Sequence, residues 1–291
     1  AGTLHTLGRW DELGDALRAL APFLENPTAS QPASAQVVER SASALRGDVS
    51  AHRLEHAYGD EHALRGIDLR IGAGERVALI GRPGSGKSTL ARLLAGAMLP
   101  GKGEVRIDDA ALSAHPTAAR ADWLAFKPQE AVLVAGSLEE NILLGIAPWA
   151  SADERIAALR RGLHLSGLDE DLARGSLSLD RRIEEYGANL SGGQRQKVAL
   201  ARALALPAKI VILDEPGNGL DPDAEKCLVD RLSTLKDTTL ILVTHSARLL
   251  ALTERVIALD AGRVLADGPT RELVRHERSP APTTATAPHK V

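Results

Sequence analysis

The sequence predicts an α/β fold with a mostly parallel sheet, because three short apolar runs each end where polar chemistry begins. Arg76–Ile80 (RVALI) enters a glycine-rich loop, residues 209–213 (KIVIL) enter Asp214 and Glu215, and residues 239–244 (TLILVT) enter His245. Unbroken β-branched and leucine-rich runs of this length read as strands buried on both faces, as in a parallel sheet covered by helices. Open sheets of that kind collect ligands at the carboxyl ends of their strands, so loop, acids and histidine are expected along one edge.

Taken in chain order, residues 9–25 place Trp10, Leu13, Leu17, Leu20 and Leu24 on one helical face. Arg9, Asp11, Glu12, Asp15 and Arg18 lie mostly elsewhere, which predicts an amphipathic helix in need of a partner. Residues 26–35, rich in Pro, Ser and Ala, read as a linker, and the folded domain is expected to begin near Val49. An antiparallel β-rich part is expected near residues 51–75 and 103–108.

Gly81 to Ser88 (GRPGSGKS) fits the pattern Gly-x-x-x-x-Gly-Lys-Ser, between the strand Arg76–Ile80 and a stretch from Lys87 to Met98 with Leu90, Leu93, Leu94 and Met98 at helical spacing. Strand, loop and helix bring the loop amides and the helix N-terminus to one point, which suits a phosphate chain. Gly84 and Gly86 permit backbone angles and close approaches that a side chain would block, Gly81 and Ser85 complete the binding loop, Lys87 reaches the β- and γ-phosphates, Ser88 offers a hydroxyl to Mg²⁺ and Thr89 adds a contact to the α-phosphate. Asp214 would then orient Mg²⁺ and its water, with Glu215 polarising the attacking water. Two acids after an apolar strand are ordinarily a strand end meeting a solvated turn; behind a phosphate loop the functional reading takes precedence.

Leu190 to Gln194 (LSGGQ) precedes Val198, Ala201 and Leu204 at helical spacing, with Pro207 beyond. Ser191 stands where an N-cap belongs, and Gly192 and Gly193 leave amides bare, so the segment reads as a second anion site. Alone it would be a flexible loop start.

Gly81–Ser88, Leu190–Gln194 and Ile210–Glu215 together resemble the Walker A, signature and Walker B motifs of ABC transporter ATP-binding domains. Other stations follow in order. Tyr58 resembles the aromatic that stacks on adenine, Gln129 in Lys127-Pro128-Gln129 the Q-loop that senses metal and water, Asp221 the D-loop, and His245 the switch histidine at the γ-phosphate. The resemblance covers roughly residues 51–275. It implies a P-loop NTPase core with an antiparallel β subdomain and an ABC-type helical subdomain at about 130–205. It also implies ATP and Mg²⁺ as cofactors, with Ser88, Gln129 and Asp214 at the metal and Glu215, His245, Gln129 and Lys87 in catalysis. Ser191, Gly192, Gly193, Gln194 and Asp221 would close over ATP held by another copy, in a head-to-tail homodimer with two shared sites.

Residues 136–142 (GSLEENI) and 184–189 (EEYGAN) resemble the exporter branch, most closely type I secretion and peptide exporters. Residues 151–175, with Ile156, Leu159 and Leu163 at helical spacing, fit the helical subdomain. This divides the chain into 1–48, helix and linker following a transmembrane domain in the same natural chain or a partner subunit; 49–276, the ATP-binding domain; and 277–291, a disordered Pro/Thr/Ala tail. The implied location is the cytoplasmic face of the inner membrane, and the implied work is export of a substrate such as a protein or peptide. A free-standing importer ATPase subunit is the alternative. Two departures stand out: Gly219 replaces a bulkier residue in the D-loop, predicting a looser backbone, and Glu184 and Tyr186 stand where glycines are common.

Composition is compatible with this. Of 291 residues, 44% are hydrophobic and 25% charged, as in ordinary globular proteins, and a net charge of −3 supplies no basic field for nucleic acid. Cys227, the one cysteine, rules out an intrachain disulfide framework. No run approaches 18 apolar residues, so neither a membrane span nor a secretion signal is expected within these residues.

Overall fold

A computed structural model describes residues 45–276 except Pro148; the expected amino-terminal helix, nearly all of its linker and the expected tail lie outside the described residues. Two sheets carry the molecule. The first is antiparallel, in spatial order β2 (Glu61–Ile71), β1 (Val49–Tyr58), β4 (Lys102–Ile107) and β5 (Ala110–Ala111). It lies where the β-rich part was expected.

The second has six strands, in spatial order β12 (Arg263–Pro269), β11 (Arg255–Asp260), β3 (Arg76–Ile80), β10 (Thr239–Val243), β9 (Ile210–Asp214) and β6 (Leu124–Lys127). Neighbours are parallel from β11 to β6; only β12 pairs antiparallel. β9 and β10 are buried at every position, which is why they read as continuous apolar runs rather than alternating ones. Their inner faces join β3 and the helix Lys87–Leu94 in one core that continues into the antiparallel sheet through Leu54, Leu64 and Ile67.

That helix is shorter than its apolar spacing predicts. It stops at Leu94, the chain turning back so that Ala97 N–H donates to Arg92 O and Gly96 N–H to Leu93 O; Met98 packs against the core from beyond the helix end. A further set of helices, Leu138–Ile142, Ala152–Ser166, Leu168–Ala173 and Gly192–Leu204, builds its own apolar cluster around Leu138, Ile142, Leu168, Ile183 and Val198. β7 (Gly136–Ser137) pairs with β8 (Arg182–Ile183) at its edge. Of the residues expected to anchor this region, Leu163 is buried, Leu159 packs half-buried against the cluster, and Ile156 is exposed. No helix among the described residues is long and apolar enough to cross a membrane.

Candidate nucleotide site

Four of the parallel strands deliver their carboxyl ends to one edge. β3 ends in the phosphate loop, β6 before Pro128 and Gln129, β9 at Asp214, and β10 before Thr244 and His245. In the loop, Gly86 holds φ 100°, and a Cβ there would lie 2.5 Å from Ala63 O, so only glycine lets the loop pass under the antiparallel sheet. Ser85 N–H donates to Arg82 O, and the Lys87 ammonium donates to Gly81 O at 2.7 Å and Arg82 O at 2.8 Å. Burial lowers the Lys87 pKa, with Glu215 and Asp214 opposing it, so the cation faces two acids across the site. Ser88 is half-buried on the first turn of the helix; Ser85 and Thr89 are buried around the loop.

Asp214 is fully buried, and neither carboxylate oxygen takes a well-formed hydrogen bond; the Ser88 hydroxyl is the donor beside it. Burial pushes its pKa up; the nearby Ser88 hydroxyl is the strongest opposing influence, followed by Lys127. A bare, buried carboxylate beside a serine hydroxyl and a phosphate loop fits Mg²⁺, which keeps several waters and takes few protein ligands.

Glu215 adopts φ 47°, outside the range a non-glycine residue prefers. The turn is held from several sides. Its N–H donates to Val243 O, and its carbonyl accepts from Gln196 Nε2 at 2.9 Å and Lys127 Nζ at 3.4 Å. This aims the side chain toward His245, with Nε2 and Oε1 3.6 Å apart. Burial raises the Glu215 pKa while His245 lowers it, a setting that favours proton acceptance over a fully solvated carboxylate. His245 is exposed and shares a cavity of about 530 Å³ with Gly81, Arg82 and Pro83.

The signature forms as its spacing predicts. Ser191 caps the helix Gly192–Leu204 in a capping box, its Oγ accepting from Gln194 N–H and Gln194 Oε1 accepting from Ser191 N–H, while Gly192 is exposed and Gly193 half-buried. Asp221 is engaged within its own subunit, capping the helix Pro222–Ser233 through Asp223 and Ala224 N–H groups, which lower its pKa. Gly219 adopts φ 76°, a value an L side chain would strain to hold, so the departure from a bulkier residue gives a defined turn. Tyr186 takes φ 57°, the left-handed geometry that suits the glycine common at its place. Tyr58 stands at the β1–β2 hairpin, 48% exposed, edge-on to His56, with its hydroxyl donating to Met98 Sδ at 3.7 Å. Gln129 is exposed, and the structure joins it to the acids only through its backbone.

Three supporting residues escape motif reading. Lys127 is 1% exposed, with its ammonium on main-chain carbonyls; burial lowers its pKa to about 8 against the pull of Asp214 and Glu215. Gln196 reaches Glu215 and Pro216 carbonyls, and Arg202 grips Asn141 and Val132 O. The only sequence signal for Lys127 is a charge closing an apolar strand; Gln196 and Arg202 look like ordinary polar positions of an amphipathic helix.

Residues 64–218, more than half of the chain, match the family described as ABC transporter. The chain is 34% identical, over 80% of its length, to the transport/processing ATP-binding protein ComA of Streptococcus pneumoniae (strain ATCC BAA-255 / R6), of which it spans 32%. A bacterial Atm1-family ABC exporter with ATP bound is similar at TM-score 0.76 and 27% identity, covering 91% of this chain and 45% of that one. A dimeric bacterial ABC transporter cassette is similar at TM-score 0.67 and 28% identity, covering 77% of this chain and 99% of that one. The chain thus spans about a third of the curated relative and under half of the exporter, but nearly all of the isolated cassette.

Proposed function

The chain belongs to the ABC transporter family, and on that premise we propose that it is the ATP-hydrolysing cassette of an exporter-type transporter. Ser88, Asp214 and the Gln129 side chain would hold Mg²⁺, and the metal would neutralise charge developing on the phosphates and orient water. The chain's own groups supply the rest. The loop amides and Lys87 position the phosphate chain, Tyr58 supports adenine, Glu215 accepts the proton of the attacking water, and His245 holds Glu215 in place and donates toward the γ-phosphate. Positioning and electrostatics carry the reaction, since phosphoryl transfer asks little covalent chemistry of the protein.

The observation that carries this reading is Asp214, a buried carboxylate without a well-formed hydrogen bond beside the phosphate loop and the Ser88 hydroxyl, next to a Glu215 held by its backbone toward His245. Ser191–Gln194 would serve ATP bound to a second copy, making two shared sites per head-to-tail dimer. The neighbouring cassette described as dimeric supports pairing. The relative and the exporter are each far longer than this chain, which supports a transmembrane partner; the proposed location is the cytoplasmic face of the inner membrane. The helical region, about 130–205, would face that partner. Of nine large exposed hydrophobic side chains among the described residues, six lie between Val132 and Tyr186, which favours this surface over the β-rich one. The proposed work is export of a protein or peptide.

The decisive experiment is Glu215→Gln in the 291-residue chain, followed by phosphate release and size-exclusion chromatography with Mg²⁺ and ATP. The variant is expected to bind ATP, to lose at least about a hundredfold in turnover, and to accumulate as an ATP-bound dimer. Turnover at the wild-type rate would remove Glu215 from the base role.

A further inference from the structure

Lys127 closes β6 in a position lysine rarely occupies unless its charge is matched. An ammonium has three donors, and here the acceptors are three main-chain carbonyls: Asp214 at 3.0 Å, Glu215 at 3.4 Å and Gln129 at 3.5 Å. No carboxylate takes a hydrogen bond from it. The cation is therefore wired to the backbone of the three residues to which metal, base and sensing roles fall. Glu215 needs such support, because a non-glycine residue in the left-handed region persists only where its surroundings over-determine it. Lys127 from the sheet and Gln196 from the signature helix converge on its one carbonyl.

We propose that Lys127 is a positioning residue for ATP hydrolysis: by gripping the carbonyls of Asp214, Glu215 and Gln129 together, it sets the Glu215 carboxylate relative to the other two residues. This rests on the reading of Glu215 as the base. An apolar side chain of similar length fills the same space without the grip, so packing and positioning make different predictions. Packing survives Lys127→Met; positioning does not.

Wild type, Lys127→Met, Glu215→Gln and the double variant of the full 291-residue chain are compared in steady-state and single-turnover hydrolysis, with ATP affinity measured alongside. If wild type does not hydrolyse ATP, or Glu215→Gln does so equally fast, the reading of the site fails and the proposal falls with it. With the site as read, Lys127→Met lowers kcat about 10- to 100-fold, the scale of an ångström-sized misplacement. It leaves ATP affinity within about twofold, and it adds less than about twofold to the loss in Glu215→Gln, because both changes act through one carboxylate. Wild-type kcat, an equal factor lost in both backgrounds, or affinity falling in step with kcat overturns the proposal. Should Lys127→Met not fold, Lys127→Leu, which likewise carries no donor, takes its place in the comparison. If neither folds, Lys127 is structural and the proposal is overturned.

Discussion

At the scale of single residues, the site holds two acids in opposite ways. Glu215 is fixed through its backbone, with N–H and carbonyl both bonded, so its carboxylate can be exchanged with little effect on the turn. Asp214 is fixed by the strand, and its carboxylate sits buried with only the Ser88 hydroxyl as a side-chain donor beside it, a cost that a bound cation would offset. Asp214→Asn is therefore expected to raise the melting temperature of the nucleotide-free chain by a few degrees, on the order of 1 kcal/mol. It should also abolish the Mg²⁺-dependent part of ATP binding, measured with and without chelator. A lower melting temperature without nucleotide would mean that the carboxylate is supported by the fold rather than kept for a metal.

At the scale of elements, the signature helix begins with a device that two other described helices, Leu138–Ile142 and Ala152–Ser166, also carry. Ser151 and Ser191 each form a capping box, with Glu154 and Gln194. Replacing either serine by alanine removes a cap worth about 1 kcal/mol, so calorimetry should give similar destabilisation. Hydrolysis should separate them, Ser191→Ala losing activity and Ser151→Ala keeping it; equal activities would reduce the signature serine to a cap. Strands and caps were legible because they rest on local patterns: the unbroken runs of β9 and β10, and a serine three residues before Gln194. Tertiary grips were not. Nothing local tells a reader that Lys127 turns inward to β9, because the partner carbonyls lie 87 and 88 residues away. The end of the helix after the phosphate loop was overread for the complementary reason, since Met98 keeps the helical spacing while reaching the core from outside the helix.

At the scale of the whole molecule, the phosphate loop and the signature helix are the two parts that the proposed pairing would bring together across copies. If each serves a different copy, hydrolysis per subunit must rise with protein concentration and level off once pairs dominate. Measuring specific activity across a dilution series, with sedimentation at the same concentrations, checks this. Activity per subunit that stays flat where sedimentation shows monomers would make the site complete in one copy. The order of strands carries a further consequence. β10 lies between β3 and β9, although it follows the phosphate loop by some 150 residues of synthesis. Until the ribosome has delivered residue 243, the loop lacks the neighbour that aligns it with the acids, and the sheet cannot close its long-range pairings. A chain halted before β10 therefore carries its phosphate loop on an unfinished sheet, with the strand that lies between loop and acids still unmade.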